Sequence, residues 1–210
     1  MPTKCLYCDE DYNKNSGIFH ILFSKDPLCE KCRAKLKLKR HYIKVNNFKL
    51  ECFYEYDEFF RSLILQYKEC YDEALYPVFL YNLKRYLEMK YHGYTVVWVP
   101  SSKSKLLERG FDHMELMLKN IKLKKLNALY QSQDIDQKNK SFKERKAIQQ
   151  SISLKAGLIL PDKILLIDDV VTSGNSITAA YNLLKNEVTE LKVLSLSCTK
   201  KWNKRYISKK

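Results

Sequence analysis

At 210 residues the chain is long enough for one sizeable α/β core plus a small appendage. Hydrophobic content of 45% is ordinary for a soluble globular protein, and the absence of any run of about 18 apolar residues excludes a transmembrane helix from expectation. The formal net charge of +14, from 38 Lys plus Arg against 24 Asp plus Glu, favours anionic partners such as nucleic acid, phosphorylated small molecules or an anionic membrane face, although a lysine-rich surface composition gives the same count.

The chain starts Met1-Pro-Thr-Lys-Cys5 and continues polar, with no apolar stretch of the kind a secretory signal needs, so a cytosolic location is expected. There, disulfides are disfavoured. Cys5-Leu-Tyr-Cys8 and Cys29-Glu-Lys-Cys32 form two Cys-x-x-Cys pairs twenty residues apart. Each pair places two thiolates on one tight turn, and two turns close a tetrahedral four-sulfur shell around zinc. The spacing is not that of a ferredoxin, so zinc is expected in a closed, structural site. Cys52, Cys70 and Cys198 have no partner at ligand spacing and are expected to pack as small apolar residues. The module ends in a basic run, Lys31, Arg33, Lys35, Lys37, Lys39 and Arg40. Two domains are expected: residues 1–46 with the zinc site and basic run, and residues 47–210.

Residues 47–89 are rich in aromatics, and Asp57–Tyr67 and Ala74–Tyr91 read as amphipathic helices, with Phe59, Leu63 and Tyr67 at four-residue spacing. From Thr95 onward the pattern is strand, loop, helix. Thr95-Val-Val-Trp-Val-Pro100 is an apolar run ended by proline, and Lys163-Ile-Leu-Leu-Ile-Asp168 is a second buried strand. Leu191–Ser197 and the shorter Leu126–Tyr130 also read as strands, with helical patterns at Phe111–Ile121 and Ser176–Asn186. This alternation predicts a parallel sheet flanked by helices. Gln131–Ser151 is polar and charged, and is expected to be a mobile excursion with helical character near Phe142–Gln150.

The most informative segment is Ile164-Leu-Leu-Ile-Asp-Asp-Val-Val-Thr-Ser-Gly-Asn-Ser-Ile177. A strand delivers Asp168 and Asp169 to its C-terminal end, where open α/β sheets bind ligands. Thr172, Ser173, Gly174, Asn175 and Ser176 then turn into a helix, offering amides, hydroxyls and the positive helix end to an anion. Carboxylates followed by such a cradle suit a sugar phosphate. There is no Gly-x-x-x-x-Gly-Lys and no Gly-x-Gly-x-x-Gly, which excludes a Walker-type nucleotidase and that dinucleotide fingerprint. Lys103, Lys105 and Arg109 lie on a loop and helix start, where cations oppose the helix dipole and so suggest a ligand. His20, His41, His92 and His113 show no metal or nucleophile pairing; His113, beside Arg109, is within reach of a ligand there but reads first as a satisfied surface residue.

Asp168-Asp169-Val-Val-Thr-Ser-Gly174 resembles the ribose-phosphate signature of type I phosphoribosyltransferases. The resemblance implies their fold, with Mg²⁺ and phosphoribosyl pyrophosphate as ligands. It implies Asp168 and Asp169 on the ribose hydroxyls, and Thr172, Ser173, Gly174, Asn175 and Ser176 on the 5′-phosphate. Purine-salvage members carry an aspartate, proposed as proton acceptor, where this chain has Thr172, which argues against that branch and leaves the catalytic residues unassigned. Val99-Pro-Ser-Ser-Lys-Ser-Lys-Leu-Leu-Glu-Arg-Gly-Phe-Asp112 is similar to the Val-Pro…Arg-Gly-Phe-Asn segment of ComF-family proteins, linked to natural competence, with Asp112 in place of the usual asparagine. The resemblance implies pyrophosphate donors at Ser102, Lys103, Lys105 and Arg109. Gln131–Lys146, with Lys140, Lys143, Arg145 and Lys146, resembles the family's variable basic region, and the cysteine pairs resemble its zinc module.

Two functions follow from the resemblance. The first is a competence protein assisting uptake of single-stranded DNA. Phosphates would meet the basic run at Lys35, Lys37, Lys39 and Arg40, with Tyr42, Tyr86 and Tyr91 as candidate stacking surfaces. Its implied partners are a DNA-uptake helicase or membrane channel components, at the inner face of the membrane. The second is a soluble phosphoribosyltransferase in nucleotide metabolism or salvage. A regulatory sensor without chemistry is a third possibility.

Overall fold

The structure, a computed structural model, describes residues 4–11, 26–131, 152–199, 202 and 206–207. His20, most of the basic excursion after residue 131 and its expected helical stretch at 142–150 lie outside them.

A short helix α1 (Glu30–Lys35) leads into a hairpin, β1 (Leu38–Val45) and β2 (Phe48–Glu55). Three helices follow: α2 (Glu58–Glu69), α3 (Tyr76–Leu80) and α4 (Lys84–Lys90). Next come β3 (Thr95–Trp98), α5 (Lys103–Arg109), α6 (His113–Met117), β4 (Lys124–Lys125) and β5 (Leu129–Gln131). The chain continues through β6 (Ile152–Leu154), β7 (Lys163–Val171), α7 (Asn175–Leu184), β8 (Glu190–Cys198) and β9 (Tyr206–Ile207). Among the described residues the main sheet has seven strands in the order β4-β3-β7-β8-β2-β1-β9, and β5 and β6 form a separate antiparallel pair. From β4 to β2 neighbouring strands run parallel; β1 and β9 add an antiparallel edge.

The central strands read as continuous apolar runs because both faces are covered. Alternate residues of β7 feed two cores: Leu165 and Ile167 join Phe60, Leu63, Tyr67 and Phe79 of α2 and α3, whereas Ile164 and Leu166 join Ile177, Ala180 and Leu184 of α7. The first helix expected from the aromatic segment is α2, capped by Asp57, whose carboxylate accepts the Phe60 N–H at 2.9 Å. The second, expected over 74–91, is broken into a 3₁₀ turn at Glu73–Leu75 followed by α3 and α4. Pro77 opens α3, as proline does where a helix begins. No helix among the described residues is long and apolar enough to cross a membrane.

The β1–β2 hairpin was not expected from the sequence. Asn46 and Asn47 connect Val45 to its partner Phe48, and Asn46 takes φ +50°, the left-handed conformation that tight hairpin turns require and asparagine tolerates. The hairpin spans the position, 46/47, at which the sequence suggests a boundary, and β1 carries part of the basic run into the main sheet. The cysteine module is also continuous with the larger core: Cys5, Leu28, Cys29, Cys32 and Leu36 share one buried cluster with Phe53, Tyr54 and Phe60.

On β2, Glu51 is 2% exposed. A lone carboxylate there would be costly, but Arg40 and Lys90 pair with it, and the hydroxyls of Tyr42, Tyr86 and Tyr91 donate to it. Burial would raise its pKa; Lys90, Tyr91, Tyr86 and Arg40 together hold it down at about 2. The three tyrosines considered as stacking surfaces thus turn their hydroxyls to a buried acid, because satisfying that charge outweighs leaving them to solvent.

The depressed carboxyl contributes stability that is complete above the ordinary carboxylate range and is lost as pH falls through the folded value. Glu51→Gln should cost about 2 kcal/mol at neutral pH. It should also flatten the loss of stability between about pH 5 and pH 2, measured by urea denaturation across pH.

Candidate functional site

The site lies at the carboxyl ends of β3 and β7. These strands are adjacent and parallel, with Trp98 opposite Ile167. After β3 the chain leads to β4 on one side, and after β7 to β8 on the other. The helices on these paths lie on opposite faces: Met114 and Met117 of α6 in one core, Ile177 and Ala180 of α7 in the other. The strand order therefore reverses between β3 and β7, and two connections diverging from one point leave a crevice, the general ligand position of open α/β sheets. The crevice has a volume of about 850 Å³ and is lined by both loops.

The loop after β7 is held from behind. Gly174 has φ +81°, and a Cβ on it would lie 3.0 Å from the Trp202 ring, so both conformation and space call for glycine. Trp202 Nε1 donates to the Thr172 carbonyl at 2.8 Å. Thr172, Ser173 and Asn175 are exposed on the front, Ser176 is half-buried, and α7 begins at Asn175. Trp202 was not anticipated; the available signal was an aromatic, one of two with Tyr206, in a charged tail.

The two acids differ. Asp169 is 5% exposed. Its Oδ2 lies 2.5 Å from Lys68 Nζ and 3.1 Å from His113 Nε2. Burial alone would raise Asp169; Lys68 and His113 instead hold its carboxyl well below the usual range. Lys68 is raised in turn, Asp169 outweighing the effect of burial. Asp168 is half-buried and faces the crevice, and burial with the adjacent Asp169 charge pushes its carboxyl well above the usual range. The pair therefore carries one firmly ionised acid and one whose ionisation a cation would favour.

His113 is buried, not superficial, at 5% exposure. Arg109 Nη1, which can only donate, lies 3.1 Å from His113 Nδ1, so the ring proton belongs on Nε2, the atom nearest Asp169. That N–H does not point along the Asp169 line, and Nε2 has no well-aligned hydrogen-bond acceptor. Arg109 is committed as well: Nε donates to the Lys68 carbonyl at 2.8 Å, and Nη2 lies 4.0 Å from Glu69.

On the opposite wall, Ser102 caps α5 by accepting the Lys105 N–H at 3.3 Å, and the α5 turn ends at Gly110 with φ +82°. Asp112 caps α6 through the Met114 and Glu115 N–H groups and accepts Trp98 Nε1 at 3.1 Å. The crevice lining thus includes Asp168, Asp169, Thr172 and Ser176 from one loop and Ser102, Lys103, Lys105 and Arg109 from the other. Lys68, which nothing in the sequence singled out, and His113, whose proximity to Arg109 was the one available signal, also line it. Gly174 is buried beneath the loop. Lys35, Lys37, Lys39 and Arg40 are exposed elsewhere; Lys37 pairs with Asp57 at 3.3 Å, and Arg40 is tied to Glu51.

The four N-terminal cysteines form a second centre. Their sulfurs all lie within 4.8 Å of one another, and Cys8 Sγ is 3.8 Å from Cys29 Sγ. A tetrahedral zinc with four bonds of about 2.3 Å has sulfur–sulfur edges of about 3.8 Å, so the donor set can hold that ion. Burial opposes a thiolate at Cys5, but N–H groups of Cys29, Cys8 and Tyr7 outweigh it and lower that thiol. Tyr7 fastens the module through a 2.9 Å bond between its hydroxyl and that of Ser62 and an edge contact with Phe59.

No family model matches the chain. The competence protein ComFC of Streptococcus pneumoniae (strain ATCC BAA-255 / R6) is 29% identical over 144 residues, which cover 68% of this chain. The matched region spans 65% of the length of that curated relative. Among solved structures, a hypoxanthine phosphoribosyltransferase from Staphylococcus aureus is similar at 16% identity and a TM-score of 0.41, covering 67% of this chain and 71% of that one. A hypoxanthine-guanine phosphoribosyltransferase from Bacillus anthracis str. 'Ames Ancestor' is similar at 12% identity and 0.36, covering 80% and 76%. An adenine phosphoribosyltransferase is similar at 13% identity and 0.42, covering 83% and 93%.

Because the cysteine module shares a core with α2 and α3, loss of a metal held there should be felt beyond the module. Cys29→Ser/Cys32→Ser should abolish metal binding by the four-sulfur site and lower the melting temperature by at least about 4 °C. Hydrogen exchange should then accelerate in α1 and in the adjoining α2; unchanged protection in both would contradict a structural metal.

Proposed function

We propose that this chain is a ComF-like competence protein that assists uptake of single-stranded DNA and binds phosphoribosyl pyrophosphate with Mg²⁺ in the β3–β7 crevice. The observation that carries the ligand assignment is the convergence there of the Asp168–Ser176 loop and the Ser102–Arg109 segment. Thr172, Ser173 and Ser176, with the amides opening α7, cradle the 5′-phosphate. Asp168 receives the ribose hydroxyls. Lys103, Lys105 and Ser102 face the pyrophosphate, while Arg109 braces Lys68 and His113. The donor chemistry suits Mg²⁺: a hard cation takes oxygen ligands, and Asp168 is a carboxylate whose ionised form such a charge stabilises. When bound, the ion neutralises pyrophosphate charge. Lys68 and His113 keep Asp169 ionised and fixed.

The DNA reading is supported by the name of the S. pneumoniae relative and by the net charge of +14. Phosphate contacts fall on the exposed Lys35, Lys37 and Lys39, with Arg40 held back by Glu51. Helicase or channel components, at the inner membrane face, are the protein partners of this reading. The second reading, a soluble phosphoribosyltransferase, is favoured by the crevice volume of about 850 Å³, enough for a sugar phosphate and an acceptor together. The two are compatible, and release of pyrophosphate on adding candidate acceptor bases distinguishes a transferase from a binding protein.

Titration calorimetry with phosphoribosyl pyrophosphate and Mg²⁺ should show saturable binding that Asp168→Asn weakens by at least about tenfold. Unaltered affinity in that variant would remove the crevice assignment.

Single-stranded DNA affinity should fall with salt at a slope of about −0.7 per neutralised phosphate, close to two decades over a fourfold rise in salt for five contacts. Reversing Lys35, Lys37 and Lys39 to Glu should flatten that slope in fluorescence anisotropy. An identical slope and affinity would place the DNA contact elsewhere.

A further inference from the structure

Outside the crevice and the four-cysteine module, His41, Cys52 and Cys198 meet across three neighbouring strands, β1, β2 and β8. No spacing in the chain suggested this, since His41 and Cys198 are 157 positions apart. Cys52 is 0% and Cys198 3% exposed, within the apolar cluster that contains Val45, Leu50 and Val193, while His41 closes the outer side half-buried.

The histidine is already oriented. Its Nδ1 lies 2.6 Å from the Lys39 carbonyl oxygen, which can only accept, so Nδ1 carries the ring proton. Nε2 is left with its lone pair directed inward, 3.4 Å from Cys198 Sγ. Metal-ligating histidines are characteristically fixed by donating the other ring N–H to a carbonyl in this way. The three donor atoms all lie within 4.8 Å of one another. A tetrahedral ion with bonds of about 2.3 Å to sulfur and about 2.0 Å to nitrogen spans edges of about 3.5–3.8 Å, which small side-chain rotations reach. Two thiols and an imidazole thus share one small space within and beside an otherwise apolar cluster.

We propose that His41, Cys52 and Cys198 form a second metal site, for a thiophilic d¹⁰ cation, zinc(II) or copper(I). Thiolate–imidazole donor sets suit these ions, whereas magnesium and calcium require oxygen. Binding releases the thiol protons of Cys52 and Cys198 to solvent, and the imidazole contributes its existing lone pair without losing a proton.

The test uses the full chain, loaded separately with zinc(II) and, under anaerobic conditions, copper(I), then freed of excess metal. In at least one arm wild type should retain two equivalents per chain. Cys52→Ser/Cys198→Ser should retain one, and Cys29→Ser/Cys32→Ser should retain the other, which separates this site from the four-cysteine centre. His41→Gln, at the half-buried edge, should weaken the second equivalent by about tenfold or more while preserving the fold. Cobalt(II) titration of wild type gives a readout independent of any variant: thiolate-to-cobalt absorption should keep rising through the second equivalent. Retention of a single equivalent in both arms, with cobalt absorption saturating at the first, overturns the proposal. So does recovery of Cys52 and Cys198 as a disulfide in protein that retains only the four-cysteine metal.

Discussion

Burying Asp169 at the end of the central strand imposes a demand that the surrounding elements meet. A desolvated carboxylate needs opposite charge and donors, or it takes up a proton. Lys68 arrives from the last turn of α2 and His113 from the start of α6. Arg109, at the end of α5, binds both the Lys68 carbonyl and the His113 ring. One acid thereby ties three helices to β7 and fixes the wall of the crevice. Asp168, one residue earlier, is left with the opposite character: partly exposed, facing the crevice and raised by burial and by its neighbour's charge.

The crevice itself follows from connectivity. Parallel strands require crossovers, and when crossovers from adjacent strands leave toward opposite sides, the space between them is not filled by the chain. Rigidity comes from beneath. Trp202 packs on Gly174 and bonds Thr172, so the loop is positioned from the core side and leaves Thr172, Ser173 and Asn175 exposed at its front. The same economy operates at the far edge of the sheet. There Glu51 gathers two cations and three tyrosine hydroxyls, joining β1, β2 and the α4 segment through Tyr86, Lys90 and Tyr91. Both clusters convert a desolvation cost into a constraint on how helices seat on the sheet.

The cysteine module and the edge hairpin alter how the basic charge is read. Part of the basic run belongs to β1, and Arg40 is withdrawn by Glu51, so the exposed cations there are fewer than a residue count suggests. The four-sulfur cluster is also no separate bead. Cys5, Cys29 and Cys32 contact the core that α2 and α3 share, which links metal occupancy to the packing of the main sheet.

The sequence by itself determined the features whose physics is local. An uninterrupted apolar run bounded by acids and a Thr-Ser-Gly turn specifies β7, its loop and the start of α7. Two Cys-x-x-Cys turns specify a four-sulfur cluster, and a periodicity of four with an Asp cap specifies α2. Tertiary structure decided what depends on side chains far apart in the chain. Lys68 was indistinguishable from a solvated lysine on a helix until α2 was seated beside β7, and His113 read as a surface residue until α5 and β7 enclosed it. The hairpin had a signal in Asn46-Asn47, but its flanking basic residues masked the strand pattern, since charge at an exposed edge position and charge in a loop look alike. His41, Cys52 and Cys198 meet only because parallel pairing of β2 with β8 brings the two ends of the chain together, and no one-dimensional spacing encodes which strands become neighbours.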